Sequence, residues 1–150
     1  MQRRDDLASL EDVISQRFEA LNTAIEHLEE LKHEQISLSE FLQNWRIQSM
    51  VLHNLQMAIQ AVIDISNTII AEKGYSIPQN NRNIIEILGE YEILPESFCE
   101  KIAGMVGFRN IMVHEYTNVN LQIVYHLWQE RISDFREYAQ YIASFVAEQI

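Results

Sequence analysis

The chain has 150 residues, 47% of them hydrophobic, which is ample for one buried core and excludes a disordered composition. Its 11 basic and 22 acidic side chains leave a net charge of −11, which disfavours a nonspecific coat for nucleic acid because such a surface repels a polyanion at long range. One cysteine rules out an intramolecular disulfide framework, and four glycines and two prolines favour long helices over many strands and turns.

In chain order, the N-terminus carries Arg3 and Arg4 but then acids, with no apolar stretch of the kind a secretory signal needs. Leu7, Leu10, Ile14, Phe18, Leu21, Ile25, Leu28 and Leu31 step by threes and fours and predict one long amphipathic helix. The acids of that helix (Glu26, Glu29, Glu30 and Glu34) read as a solvated face. Ser37-x-x-Glu40 is a capping box that opens a second helix, expected to run to Lys73 with Gly74 as its stop. Its segment Met57–Ile70 is apolar on several faces and should be the central helix. Asp64 interrupts that segment, and an acid there must be either salt-bridged within the fold or turned toward a site, with the salt bridge the favoured reading.

Tyr75 to Asn80 reads as a loop, followed by a short helix over Asn81–Glu90. Pro95 suits the first turn of the next helix, and Asn120 suits the cap of a last long helix to about Glu148. No run approaches the ~18 uninterrupted apolar residues of a membrane span, and the chain is expected to be cytoplasmic. The expectation is an all-α fold, an antiparallel bundle of four to five helices in a single domain over residues 1–150.

Chemistry concentrates in Gly107-Phe108-Arg109-Asn110-Ile111-Met112-Val113-His114-Glu115-Tyr116. Arg109 carries a planar fork of donors that matches a phosphate and stays charged at any working pH. His114 can take and give a proton near neutrality, and Asn110 can donate or accept without changing charge. Cleavage of a phosphodiester beside a ribose 2′-OH needs these services and requires no metal if the donors are preorganised. On an ideal helix, residues five apart lie about 140° apart, so Arg109 and His114 would not share a face. They converge only if the helix ends or distorts near His114, or if a second copy of the chain completes the site.

Arg109, four residues, His114, one residue, Tyr116 resembles the Arg-x4-His-x-Tyr motif of HepT-like toxins in the HEPN superfamily. The run Phe108–His114 and the amphipathic run Val51–Lys73 ending at Gly74 also resemble that family, and the likeness spans about Arg46 to Val124. The resemblance implies a metal-independent endoribonuclease that acts as a toxin, in a type VII-like toxin–antitoxin pair, with no metal and no cofactor. It implies a homodimer with paired sites facing a shared cleft, an RNA substrate and no action on DNA. It also implies a cognate minimal nucleotidyltransferase antitoxin that adds AMP to the motif tyrosine. Carried over residue by residue, Arg109 and His114 are catalytic, Asn110 is supporting and Tyr116 is the modification site. The alternative is a noncatalytic nucleotide-binding or adaptor bundle working with a nucleotidyltransferase.

Other candidates have plainer readings. His27 and His33 lie six apart near Glu29, Glu30 and Glu34, but do not share a face and lack the i, i+4 spacing of zinc-binding helices. His53 and His126 read as surface or packing residues, and Tyr75, Tyr91, Tyr125, Tyr138 and Tyr141 as packing. Cys99 reads as a small packed hydrophobe. Arg82 and Lys101 are the cations that could join Arg109 in a local basic patch.

Overall fold

A computed structural model describes residues 10–114 and 119–149, with the helical backbone alone at 110–114. Among the described residues there are seven helices: α1 (Leu10–Lys32), α2 (Leu38–Gln43), α3 (Trp45–Lys73), α4 (Asn81–Glu90), α5 (Glu96–His114), α6 (Leu121–Glu130) and α7 (Ile132–Glu148). The all-α antiparallel bundle is the observed fold, with two of the expected long helices each divided in two. Leu7 lies outside the described residues.

The first division falls at Asn44. Ser37 does cap a helix, since its hydroxyl accepts from the Glu40 amide at 3.2 Å. That helix stops after one and a half turns because Asn44 is extended and caps a new one, its side chain accepting from the Arg46 and Ile47 amides. Asparagine competes well for this role because its short carbonyl reaches the orphan amides of a first turn. The second division falls at Arg131, whose guanidinium holds the Asp134 carboxylate at 2.5 Å and also reaches the Lys101 carbonyl at 3.2 Å. Asp134 is buried, so the kink places its countercharge beside it.

The helix α3 is the axis of the molecule. Leu55, Ile59, Val62, Ile65 and Ile69 on it are fully buried, and Gly74 ends it with a left-handed φ of 68° that suits a residue without Cβ. The α1 helix runs antiparallel to α7: Ile14 near its start lines a groove with Val146, and Glu29 near its end reaches Arg136. The α7 helix runs alongside α3 in the same direction, tied by the Ser66–Tyr138 hydroxyl pair at 2.6 Å and by Lys73 with Gln149. Burial pushes the Tyr138 hydroxyl pKa up, a rise partly offset by its bond to Ser66.

At the other end, α2 lies under α6. Phe41 packs in tilted contact with Tyr125 and Trp128, and the Trp128 indole donates to the Leu28 carbonyl at 2.8 Å. The α4 helix approaches α5 closely at Gly89, where a Cβ would meet Cys99 Sγ at 2.7 Å. Among the described residues no buried side-chain polar atom lacks a hydrogen-bond partner. No described helix is long and apolar enough to cross a membrane.

Candidate active site on α5 and α3

The α5 helix begins directly after Pro95, whose carbonyl takes the amides of Phe98 and Cys99 at 3.0 and 3.1 Å. Phe98, Ile102, Met105 and Val106 form its buried face. Arg109 comes seven residues after Ile102 and three after Val106, so it continues this buried stripe. A cation there must meet something polar. What it meets is a polar pair on the central helix, Gln60 and Asp64.

Arg109 donates from Nε to Gln60 Oε1 at 2.7 Å, and Gln60 Nε2 donates to Asp64 Oδ1 at 2.8 Å. Gln60 and Asp64 are one helical turn apart and therefore neighbours on the same face of α3. All three side chains are half-buried. The orientation of the amide is forced by its partners. Arginine can only donate and a carboxylate only accept, so Gln60 must turn its oxygen to Arg109 and its nitrogen to Asp64. Thr68 closes the group by donating to the Asp64 carbonyl at 2.7 Å.

Among the described residues no cation pairs with Asp64, unlike the favoured sequence reading. Asp64 is connected to Arg109 through a neutral amide. Among the described residues the ion pairs are Arg82–Glu86, Arg131–Asp134 and Arg136–Glu29, and none involves Arg109. Neither terminal Nη of Arg109 bonds to a described residue. Its positive charge therefore has no carboxylate in direct contact among them.

Asn110 and His114 lie on the α5 backbone, which is helical up to and including His114. On a regular helix the backbone positions of Arg109 and His114 lie about 140° apart around the axis and about 7.5 Å along it. Tyr116 lies outside the described residues. Gln60 is the residue that sequence reasoning missed. Its signal was a pair of polar positions, Gln60 and Asp64, four apart in the apolar run Met57–Ile70.

The remaining candidates fall into structural roles. His27 Nδ1 bonds Asn54 Oδ1 at 2.9 Å, tying α1 to α3, and among the described residues no cluster of three or more His, Cys, Asp or Glu could hold a metal. His53 and His126 are exposed on their helices. Cys99 is half-buried, and burial raises its thiol pKa, which suits packing and not reactivity. Arg82 pairs with Glu86 in a cleft of about 490 Å³ between α4 and α5 that also holds Glu90, Glu96 and Glu100, and Arg109 does not line it. Lys101 is exposed on α5. A separate groove of about 630 Å³ between α1 and α7 has an apolar floor of Ile14, Phe18 and Val146 and lies away from Arg109 as well. Arg109 is therefore at a half-open surface, outside these cavities.

The sequence and the fold both have relatives. Residues 21–142 match the ribonuclease HepT-like family. The chain is 30% identical over 133 residues to the mRNA nuclease HepT of Shewanella oneidensis, covering 89% of this chain and 98% of the relative. It is 29% identical over 134 residues to the tRNA nuclease HepT of Aphanizomenon flos-aquae, covering 89% and 90%. Among solved structures it superposes on a toxin–antitoxin complex with AMP-PNP at a TM-score of 0.80, with 29% identity over 89% of this chain and 98% of that one. It also superposes on the tri-AMPylated Shewanella oneidensis HEPN toxin in complex with its MNT antitoxin, at a TM-score of 0.79 with 30% identity, again covering 89% and 98%. The protein YutE of Bacillus subtilis, at 15% identity and a TM-score of 0.71 over 87% of this chain and 90% of that one, shares the fold. A match over four-fifths of its length, on an all-helical frame that carries the Arg-x4-His-x-Tyr spacing, makes this chain a member of the ribonuclease HepT-like family.

Proposed function

We propose that this protein is the toxin of a toxin–antitoxin pair: a metal-independent endoribonuclease, acting as one HEPN domain in the cytoplasm and silenced by a nucleotidyltransferase encoded beside it. The observation that carries the reading is the state of Arg109: a half-buried guanidinium, fixed through Nε by a neutral amide and not neutralised by any described carboxylate. Such a group costs solvation unless it serves an anion. The names of the relatives, both nucleases, point to an RNA phosphodiester as that anion.

In this reading neutral His114 accepts the proton of the ribose 2′-OH, and O2′ attacks phosphorus. The P–O5′ bond breaks, and a proton from an imidazolium reaches O5′, giving a 2′,3′-cyclic phosphate and a 5′-hydroxyl. Arg109 binds the non-bridging oxygens as charge gathers there, the contribution that electrostatic preorganisation makes in such sites. Asn110 supports the same phosphate. Because α5 stays regular from Arg109 to His114, the two groups converge most simply across a homodimer. Arg109 of one protomer and the histidine of the other then face one cleft.

Tyr116 is the proposed switch. Its phenol oxygen attacks the α-phosphorus of ATP, pyrophosphate leaves and the phenol proton is lost to solvent. The added AMP places a negative phosphate beside Arg109, occupying it and repelling RNA. The AMPylated toxin among the structural relatives supports this chemistry for the fold.

The test is induction of wild type and His114→Ala in cells, with mapping of RNA ends, and assay of the purified proteins in EDTA. Growth arrest by wild type alone, with new 5′-hydroxyl ends and activity undiminished by EDTA, is the expected result. Harmless growth and intact RNA with soluble wild-type protein would overturn it in favour of a noncatalytic adaptor bundle.

A further inference from the structure

We propose that Gln60 and Asp64 are positioning residues for Arg109: a neutral relay that fixes the guanidinium by its inner nitrogen and leaves its terminal nitrogens and its charge to the RNA phosphate. The inference rests on the assignment of Arg109 to phosphate binding.

Three features of the relay argue for a role beyond packing. The first is the choice of partner. A carboxylate at position 60 would bind Arg109 more strongly than an amide does, but would compete with a phosphate for the same charge. An amide holds the side chain without cancelling it. The second is the choice of atom. The contact is made at Nε, 2.7 Å from Gln60 Oε1, so the Nη pair keeps the fork geometry that suits a phosphate. The third is Asp64. An acid half-buried in an apolar helix is costly, yet among the described residues its Oδ1 takes a neutral donor. By accepting from Gln60 Nε2 it forbids the flipped amide, which would turn an N–H toward the guanidinium.

Ile59, Ala61 and Val62 around Gln60 are buried in the core, as is Val106 one turn before Arg109. Without the relay the long Arg109 side chain regains its rotamer freedom. Misplacement of a charge-stabilising donor acts on the reaction step more than on ground-state binding. The relay should therefore appear in kcat and leave KM nearly untouched.

The experiment uses full-length protein and a pool of single-stranded RNA oligonucleotides with a randomised core, scored by 5′-hydroxyl ends. Gln60→Ala is expected to lower kcat about tenfold with KM within about twofold, and Gln60→Met, which keeps the volume, to do the same. Asp64→Ala is expected to lose about three- to fivefold, whereas Asp64→Asn should stay near wild type, because the asparagine oxygen still accepts from Gln60. Circular dichroism melts identify any variant that fails to fold, and the Met and Asn variants keep the test alive if the alanine variants do. Wild-type rates for folded Gln60→Ala and Gln60→Met beside an inactive Arg109→Ala would overturn the relay and leave the ribonuclease assignment standing. An Asp64→Asn loss equal to that of Asp64→Ala would also overturn it, since charge and not hydrogen bonding would then be at work. A fully active Arg109→Ala would overturn the underlying assignment instead.

Discussion

Two arginines in this molecule are held in opposite ways. Arg136 on α7 grips Glu29 on α1 with two parallel bonds, Nε–Oε1 at 2.6 Å and Nη2–Oε2 at 2.7 Å. The hydrogen bond between them lowers the Glu29 pKa and raises that of Arg136. Arg109 on α5 is held, among the described residues, by one amide. The first arrangement satisfies two charges with each other and closes a seam between helices. The second restrains a side chain and, among the described residues, sets no carboxylate against its charge. On the proposed function, that contrast separates a structural cation from one that serves a ligand.

The largest effect expected from breaking the contrast is on catalysis. Arg109→Ala should lower cleavage by about 10²-fold or more, the scale seen when one charge-stabilising donor is lost, and should move the melting temperature little. Arg136→Ala should leave cleavage unchanged. Measuring kcat/KM and thermal melts for both variants checks the two halves together. Equal catalytic losses would erase the distinction.

A sharper test makes one arginine resemble the other. Gln60→Glu would give Arg109 a carboxylate partner like the one Arg136 already has, and would set two acids, Glu and Asp64, one turn apart. Cleavage should fall about tenfold, roughly 1.4 kcal/mol in the barrier, through a guanidinium already satisfied before RNA arrives. The dependence of RNA affinity on salt should also flatten by about one phosphate contact, a slope change of about 0.7 for a single strand. Titrations of RNA at several salt concentrations read this directly.

The sequence made the frame of this comparison legible and hid its key contact. The apolar stripe of α1, the stop at Gly74 and the Asn120 cap follow from local rules, and each appears where expected: Ile14, Leu21, Ile25 and Leu28 are buried, Gly74 is left-handed, and Asn120 accepts from two amides of α6. The breaks at Asn44 and Arg131 were hidden because helical periodicity continues across both. Only the competition of a cap, or of an ion pair with a buried acid, decides them. Gln60 was hidden for a different reason. Its meaning comes from Arg109, 49 residues away in sequence, and no local pattern announces which face of a central helix a distant cation will meet. The family motif marks Arg109 without marking what holds it.

The smallest effect concerns the structural pair itself, and its sign can be worked out. Both side chains are partly exposed, Arg136 at 48% and Glu29 at 37%, so solvent screens the pair and its worth is about 0.5–1 kcal/mol even with bidentate geometry. Glu29 has a folded pKa below its ordinary 4.5. A carboxyl with a depressed folded pKa contributes stability that is fully present above the unfolded value. That stability is lost as pH falls through the folded one. Arg136 titrates far above this window and stays charged throughout. Urea melts should therefore show wild type more stable than Arg136→Ala by about 0.5–1 kcal/mol at neutral pH, with the gap narrowing as pH falls below 4.5. A gap that held constant into acid would mean that Arg136 acts through the packing of its stem on α1. The cross-helix contact would then owe nothing to charge, and the two arginines would differ less than their partners suggest.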